Sequence, residues 1–230
     1  MTSMKVALVR RLSAELLGSA LLAALVIGSG IAAQNLSPND VGLQLLENAF
    51  ATALGLPVLI LIFGPISGAH FNPVVSLVDS ASGMRSWKDT ALYIPAQIVG
   101  CILGAIFANL MFGRAAVSIS TTDRITGPHF LAEIVATAGL ILIIFALART
   151  NRASLTPAAV GAYIGAAYFF TSSASFANPA ITIGRIFSDT FAGIAPTSAP
   201  GFIAAQLVGA ALAFLLLQWL YPTRKRVPTS

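Results

Sequence analysis

Two Asn-Pro pairs, Asn72-Pro73 and Asn178-Pro179, each open an apolar run of about ten residues. Proline at the first position of a helix loses no hydrogen bond and presets the backbone angle. Asparagine just before it is a favoured N-cap. Each pair therefore reads as the start of a short helix, Asn72–Ala81 and Asn178–Ser188. The first N–H groups of such a helix have no partner inside it, and its end carries about half a positive charge. Two such ends facing one another oppose cations and protons while leaving donors for a neutral solute oxygen. A single Asn-Pro marks an ordinary turn. Here, two pairs stand at matching places in a repeated pattern.

Two acidic residues accompany them. Ala14-Glu15-Leu16 precedes the first pair and Ala132-Glu133-Ile134 the second. A carboxylate within an apolar run is costly and marks a functional hypothesis. The two readings are a proton relay and a brace that accepts backbone N–H groups of the loop before each short helix. His70, next to the first pair, reads as a loop brace, and His129 shows no partner. The single cysteine, Cys101, lies in an apolar run and reads as a buried small side chain. No metal cluster, nucleophile–base pair or phosphate-binding glycine loop is visible, so neither an enzyme nor a cofactor is expected.

The elements that position these residues follow from hydropathy. The chain is 57% hydrophobic and 9% charged, with mean hydropathy +0.85 and net charge +5. Soluble domains carry roughly 25% charged residues, so a soluble globule is excluded. Six runs approach the ~20 residues that cross a bilayer. They lie near Leu12–Ala33, Glu47–Ile66, Thr90–Phe112, Phe130–Ala148, Pro157–Thr171 and Gly201–Tyr221. The two Asn-Pro runs are too short to cross and suit re-entrant half-helices. The expected fold is an all-α membrane protein of six transmembrane helices plus two half-helices in one channel domain.

The halves repeat. Ala96-Gln97-Ile98-Val99-Gly100 is answered by Ala205-Gln206-Leu207-Val208-Gly209, so the order Glu, Asn-Pro, Ala-Gln-x-Val-Gly occurs twice. Three spans per copy is odd, which inverts the second copy and places the shared site near the midplane. The repeats are expected over about 10–115 and 127–222. With the N-terminus inside, ten basic residues fall on inner segments: Lys5, Arg10, Arg11, Arg85, Lys88, Arg149, Arg152, Arg224, Lys225 and Arg226. Three, Arg114, Arg124 and Arg185, fall on outer ones. That asymmetry puts both termini in the cytoplasm, the membrane being a bacterial plasma membrane.

Ser67-Gly68-Ala69-His70-Phe71-Asn72-Pro73-Val74 and Ser175-Phe176-Ala177-Asn178-Pro179-Ala180 resemble the paired signatures of aquaporins and glycerol facilitators. The likeness runs from Glu15 to Gln206. The resemblance implies a passive pore in each chain of a homotetramer, with Asn72 and Asn178 as central donors. It implies that the carbonyls of Gly68, Ala69 and His70, and of Ala174, Ser175 and Phe176, line the path. It also favours the bracing role for Glu15 and Glu133. Val74 departs from the usual alanine.

The filter departs further. The family usually has arginine three residues after the second asparagine, and here that residue is Ile181. Ungapped spacing gives Thr52, Ala166 and Ser175 as the other filter positions. Such a ring is wider and less polar than a water filter. It points to glycerol, urea or neutral metalloid hydroxides such as arsenous acid, with water also expected to pass. Tyr168, Phe169, Phe170 and Phe176 are aromatic rings able to narrow the mouth by turning inward. Arg185, seven residues after Asn178, is either a displaced charge in the outer vestibule or an interface arginine paired with Asp189. The expected partners are small neutral solutes and the lipid bilayer, with no nucleic acid. The alternative reading is an ion-coupled secondary transporter, since many also use inverted repeats.

Overall fold

The computed structural model describes residues 6–222. Lys5, Arg224, Lys225 and Arg226 lie outside them. Eight α-helices follow in order: α1 Leu8–Leu36, α2 Val41–Ser67, α3 Pro73–Ala81, α4 Trp87–Met111, α5 Gly127–Arg149, α6 Thr156–Phe170, α7 Pro179–Gly184 and α8 Ala199–Leu220. There is no strand among the described residues. Six helices are long and apolar enough to cross a membrane, the fifth being α6 with the 3-10 turn Ala153–Leu155 before it. The two short helices, α3 and α7, begin at the two Asn-Pro pairs. α7 has only six residues before a 3-10 turn, Arg185–Phe187.

The repeated Ala-Gln-x-Val-Gly motif is the packing device of each half. A Cβ added to Gly100 on α4 would lie 2.4 Å from the Leu16 carbonyl oxygen of α1. One added to Gly209 on α8 would lie 2.5 Å from that of Ile134 on α5. In lipid, helices associate through such close backbone approaches, because apolar side chains gain nothing by leaving the tails. The outward faces carry large apolar side chains, such as Leu61, Phe107, Leu131 and Trp219, as a lipid-facing surface requires.

The half-helices are held by these pairs. Val74 is fully buried with Val75, Val78, Ile141, Phe145 and Leu217, so its extra methyl groups fill space beside α5 and α8. Gly184 closes on the Cys101 backbone of α4, and Cys101 is fully buried there. Beyond the C-terminal end of α7, the segment after α4 runs along the segment after α7. Ser120 N donates to Ile186 O (2.8 Å), and Ala195 N donates to Thr122 O (2.7 Å).

Candidate functional site

The two half-helices meet through their caps. Asn72 accepts from Val74 N at 3.1 Å, and Asn178 accepts from Ala180 N at 2.9 Å and Ile181 N at 3.3 Å. Both asparagines have extended backbones, as N-caps should. Their amide nitrogens cross over. Asn72 Nδ2 donates to Ala177 O and Asn178 Nδ2 donates to Phe71 O, each at 2.8 Å. Each acceptor is the residue just before the other asparagine, so the two helix tips abut. An amide NH₂ has two hydrogens. One fixes the contact and one remains for a solute.

The loops before the caps are strained in a matched way. Ala69 and Phe71 have φ of 51° and 51°, and Ser175 and Ala177 have 48° and 48°. Left-handed non-glycine residues cost on the order of 1–2 kcal/mol each, so something must hold them. Glu15 and Glu133 do so. Glu15 accepts from Ser67 Oγ (2.6 Å), His70 N (3.0 Å), Phe71 N (2.8 Å) and Gln97 Nε2 (2.8 Å). Glu133 accepts from Ser173 Oγ (2.7 Å), Phe176 N (2.9 Å), Ala177 N (2.9 Å) and Gln206 Nε2 (2.7 Å). Four donors on each fully buried carboxylate occupy its acceptor sites. The geometry is that of the brace and leaves no free acceptor for a relay. The repeated glutamines thus have a partner that spacing alone did not give them.

On the other flank of the first loop, His70 Nδ1 shares a hydrogen bond with Ser76 Oγ (2.9 Å), and Arg85 joins Asp79 (2.9 Å) and the Ser67 carbonyl (3.0 Å). His129 has a partner after all: its Nδ1 meets the Arg124 carbonyl oxygen.

One cavity of ≈ 180 Å³ passes these tips. Its lining runs from Asp79 late in α3, past the abutting caps Asn72 and Asn178, to Ile181 on α7 and Arg185 beyond it; Thr52, Met84 and Ala148 line it too. Gly68, Ala69, His70, Ser175 and Phe176 all line it; Ala174 does not. Its walls are apolar side chains such as Leu22, Val26, Leu140 and Ile164. A few fixed polar groups in an apolar bore orient a neutral solute, while an ion would lose its hydration with little return.

The filter prediction needs a correction. Ala166 does not line the cavity; it faces outward. α6 presents Val160, Ile164 and Tyr168 inward, at helical spacing, and Ala166 lies two residues, ~200°, from either neighbour. Counting through a loop carried no information on where the helix turns. Tyr168, buried to 3% exposure, takes the place instead. Thr52 Oγ1 donates to Asn48 O (2.9 Å), so the 3.2 Å bond between Thr52 and Tyr168 runs from the tyrosine hydroxyl to Thr52. A tyrosine ring, in place of the expected alanine methyl, therefore lines the cavity beside Thr52. Ser175 Oγ is buried without a partner among the described residues. Phe176 is also buried on the cavity, whereas Phe169 and Phe170 are exposed to the lipid side.

Arg185 is not an interface residue. It is 3% exposed and lines the cavity. Its guanidinium carbon lies 3.4 Å from the Phe176 ring centre, and its Nε donates to the Ala192 carbonyl. Asp189 is engaged elsewhere, accepting from Thr121 N at 2.9 Å.

Among the described residues no group of His, Cys, Asp and Glu could hold a metal ion. Comparison with known proteins agrees with the geometry. The major intrinsic protein family matches residues 2–177, ending one residue before Asn178. The chain is 49% identical over 214 residues to the aquaglyceroporin AqpS of Rhizobium meliloti (strain 1021), covering 93% of this chain and 91% of that one. It is 33% identical over 185 residues to aquaporin NIP1-1 of Zea mays, covering 76% of this chain and 64% of that protein's length. The aquaglyceroporin of Plasmodium falciparum shares the fold, with TM-score 0.74, 21% identity and 93% and 97% coverage. The chain belongs to the major intrinsic protein family, and it is a passive membrane channel for small uncharged solutes.

Proposed function

We propose that the channel conducts glycerol, neutral metalloid hydroxides such as arsenous acid, and water, down their gradients and without catalysis. The observation that carries this reading is the reciprocal amide contact of Asn72 and Asn178 inside one cavity. Their free N–H groups act as central donors, and the carbonyls of Gly68, Ala69, His70, Ser175 and Phe176 act as acceptors along the path. Glu15 and Glu133 keep those loops in shape. Thr52, Tyr168, Ser175 and Ile181 set the outer width. Close relationship to a protein named an aquaglyceroporin supports solutes larger than water.

The two inverted repeats, about 10–115 and 127–222, are read as one domain. Both termini lie in the cytoplasm of a bacterial plasma membrane, as the basic residues favour, and the chains assemble as homotetramers. Proteoliposomes test the transport reading. Glycerol and arsenous acid influx should be fast and indifferent to ion gradients and uncouplers. Influx that collapses with an imposed ion gradient would replace it with a coupled transporter.

A further inference from the structure

We propose that this conduit screens size and charge at two separate stations: size at a ring of Thr52, Tyr168 and Ile181, and charge one helical turn further out at Arg185. The inference rests on the channel reading above and adds to it.

The ring carries no charged group. Tyr168 reaches across to Thr52, and Ile181 supplies apolar bulk where the family resemblance leads one to expect an arginine. Arg185 stands four residues beyond Ile181, roughly 6 Å further along at 1.5 Å per residue. It lines the same cavity. Three features fix it there. Phe176 forms a platform beneath the guanidinium, Ala192 O accepts from Nε, and no carboxylate pairs with it among the described residues. Its two terminal nitrogens donate to no acceptor among the described residues, which leaves them free in a side chain that lines the cavity.

A second cation reinforces it. Arg124 lies 5.6 Å from the same Phe176 ring and donates to Gly193 O (2.6 Å) and Phe191 O (2.7 Å). It too has no acidic partner among the described residues. Two guanidiniums without an ion-pair partner among the described residues, around one aromatic ring, make this mouth positive in a poorly screened setting. An incoming cation meets that field before it reaches the ring. A neutral solute meets donors at Arg185, then the constriction.

The test separates the two stations. Proteoliposomes carrying Arg185→Gln are assayed for methylammonium and potassium entry, and for the ratio of glycerol to erythritol entry. Cation entry should rise about tenfold or more, as loss of one nearby charge in a medium of intermediate dielectric requires. The glycerol-to-erythritol ratio should stay at the wild-type value. Arg185→Lys should keep cations out. The double variant Ile181→Arg with Arg185→Gln returns the charge to the ring, so it should restore cation exclusion and lower erythritol entry together. Wild-type cation exclusion in Arg185→Gln, or a size ratio that moves with the charge, overturns the proposal. A wild-type protein that passes no glycerol instead sinks the solute reading on which it rests.

Discussion

Asn72 donates its amide to the carbonyl of Ala177, and Asn178 returns the bond to the carbonyl of Phe71, each over 2.8 Å. The exchange makes each half-helix a reference point for the other. It also explains why both loops must hold left-handed residues. A carbonyl next to the partner asparagine can face it only if the backbone turns at Phe71 and at Ala177.

Glu15→Gln and Glu133→Gln should each destabilise the protein. A glutamine offers one acceptor oxygen and turns an NH₂ toward backbone donors. An unsatisfied buried donor costs about 1–3 kcal/mol. Thermal unfolding in detergent should show a lower Tm for both variants, by similar amounts, since the two braces match residue for residue. If the glutamates relayed protons, the variants would instead alter the pH dependence of transport with an unchanged Tm.

Gly100→Ala and Gly209→Ala should weaken the α1–α4 and α5–α8 pairs. The new methyl would fall 2.4 Å and 2.5 Å from a carbonyl oxygen, far inside contact distance. Overpacking of this kind costs about 1–3 kcal/mol. Gly64→Ala is the control, because a methyl added there meets nothing within 4 Å. Loss of folded yield in the first two variants and not the third checks the assignment.

Tyr168→Ala should raise erythritol entry while Ala166→Leu leaves every solute unchanged. The first removes the inward ring, and the second adds a side chain facing lipid. Equal sensitivity at both positions would restore the filter that ungapped spacing suggested.

Much of this architecture was readable from residue order. Span lengths, the doubled Glu–Asn-Pro–Gln pattern and its inversion all follow from hydropathy and capping chemistry, which are local. The partner of each glutamine was half visible: Gln97 and Gln206 repeat with the glutamates, and a buried carboxylate needs donors. What was not legible depends on rotation. Ala166 and Tyr168 differ by two residues, yet which one faces the bore is decided by how α6 seats against α2, at Gly161 beside Pro57. Arg185 was likewise ambiguous. Its spacing to Asp189 fits a helical pair, but α7 gives way to a 3-10 turn, and Phe176 takes the guanidinium.

The most direct measurement is glycerol permeability of proteoliposomes carrying Asn72→Asp or Asn178→Asp at matched protein density. Aspartate keeps the capping oxygen but loses the N–H that binds the opposite carbonyl, so permeability is normalised to folded protein; the solute donor is gone and a carboxylate takes its place. The account predicts a loss of about tenfold or more in each variant, the equivalent of a barrier raised by ~1.4 kcal/mol. Wild-type permeability in either variant would mean that glycerol does not travel between these two side chains.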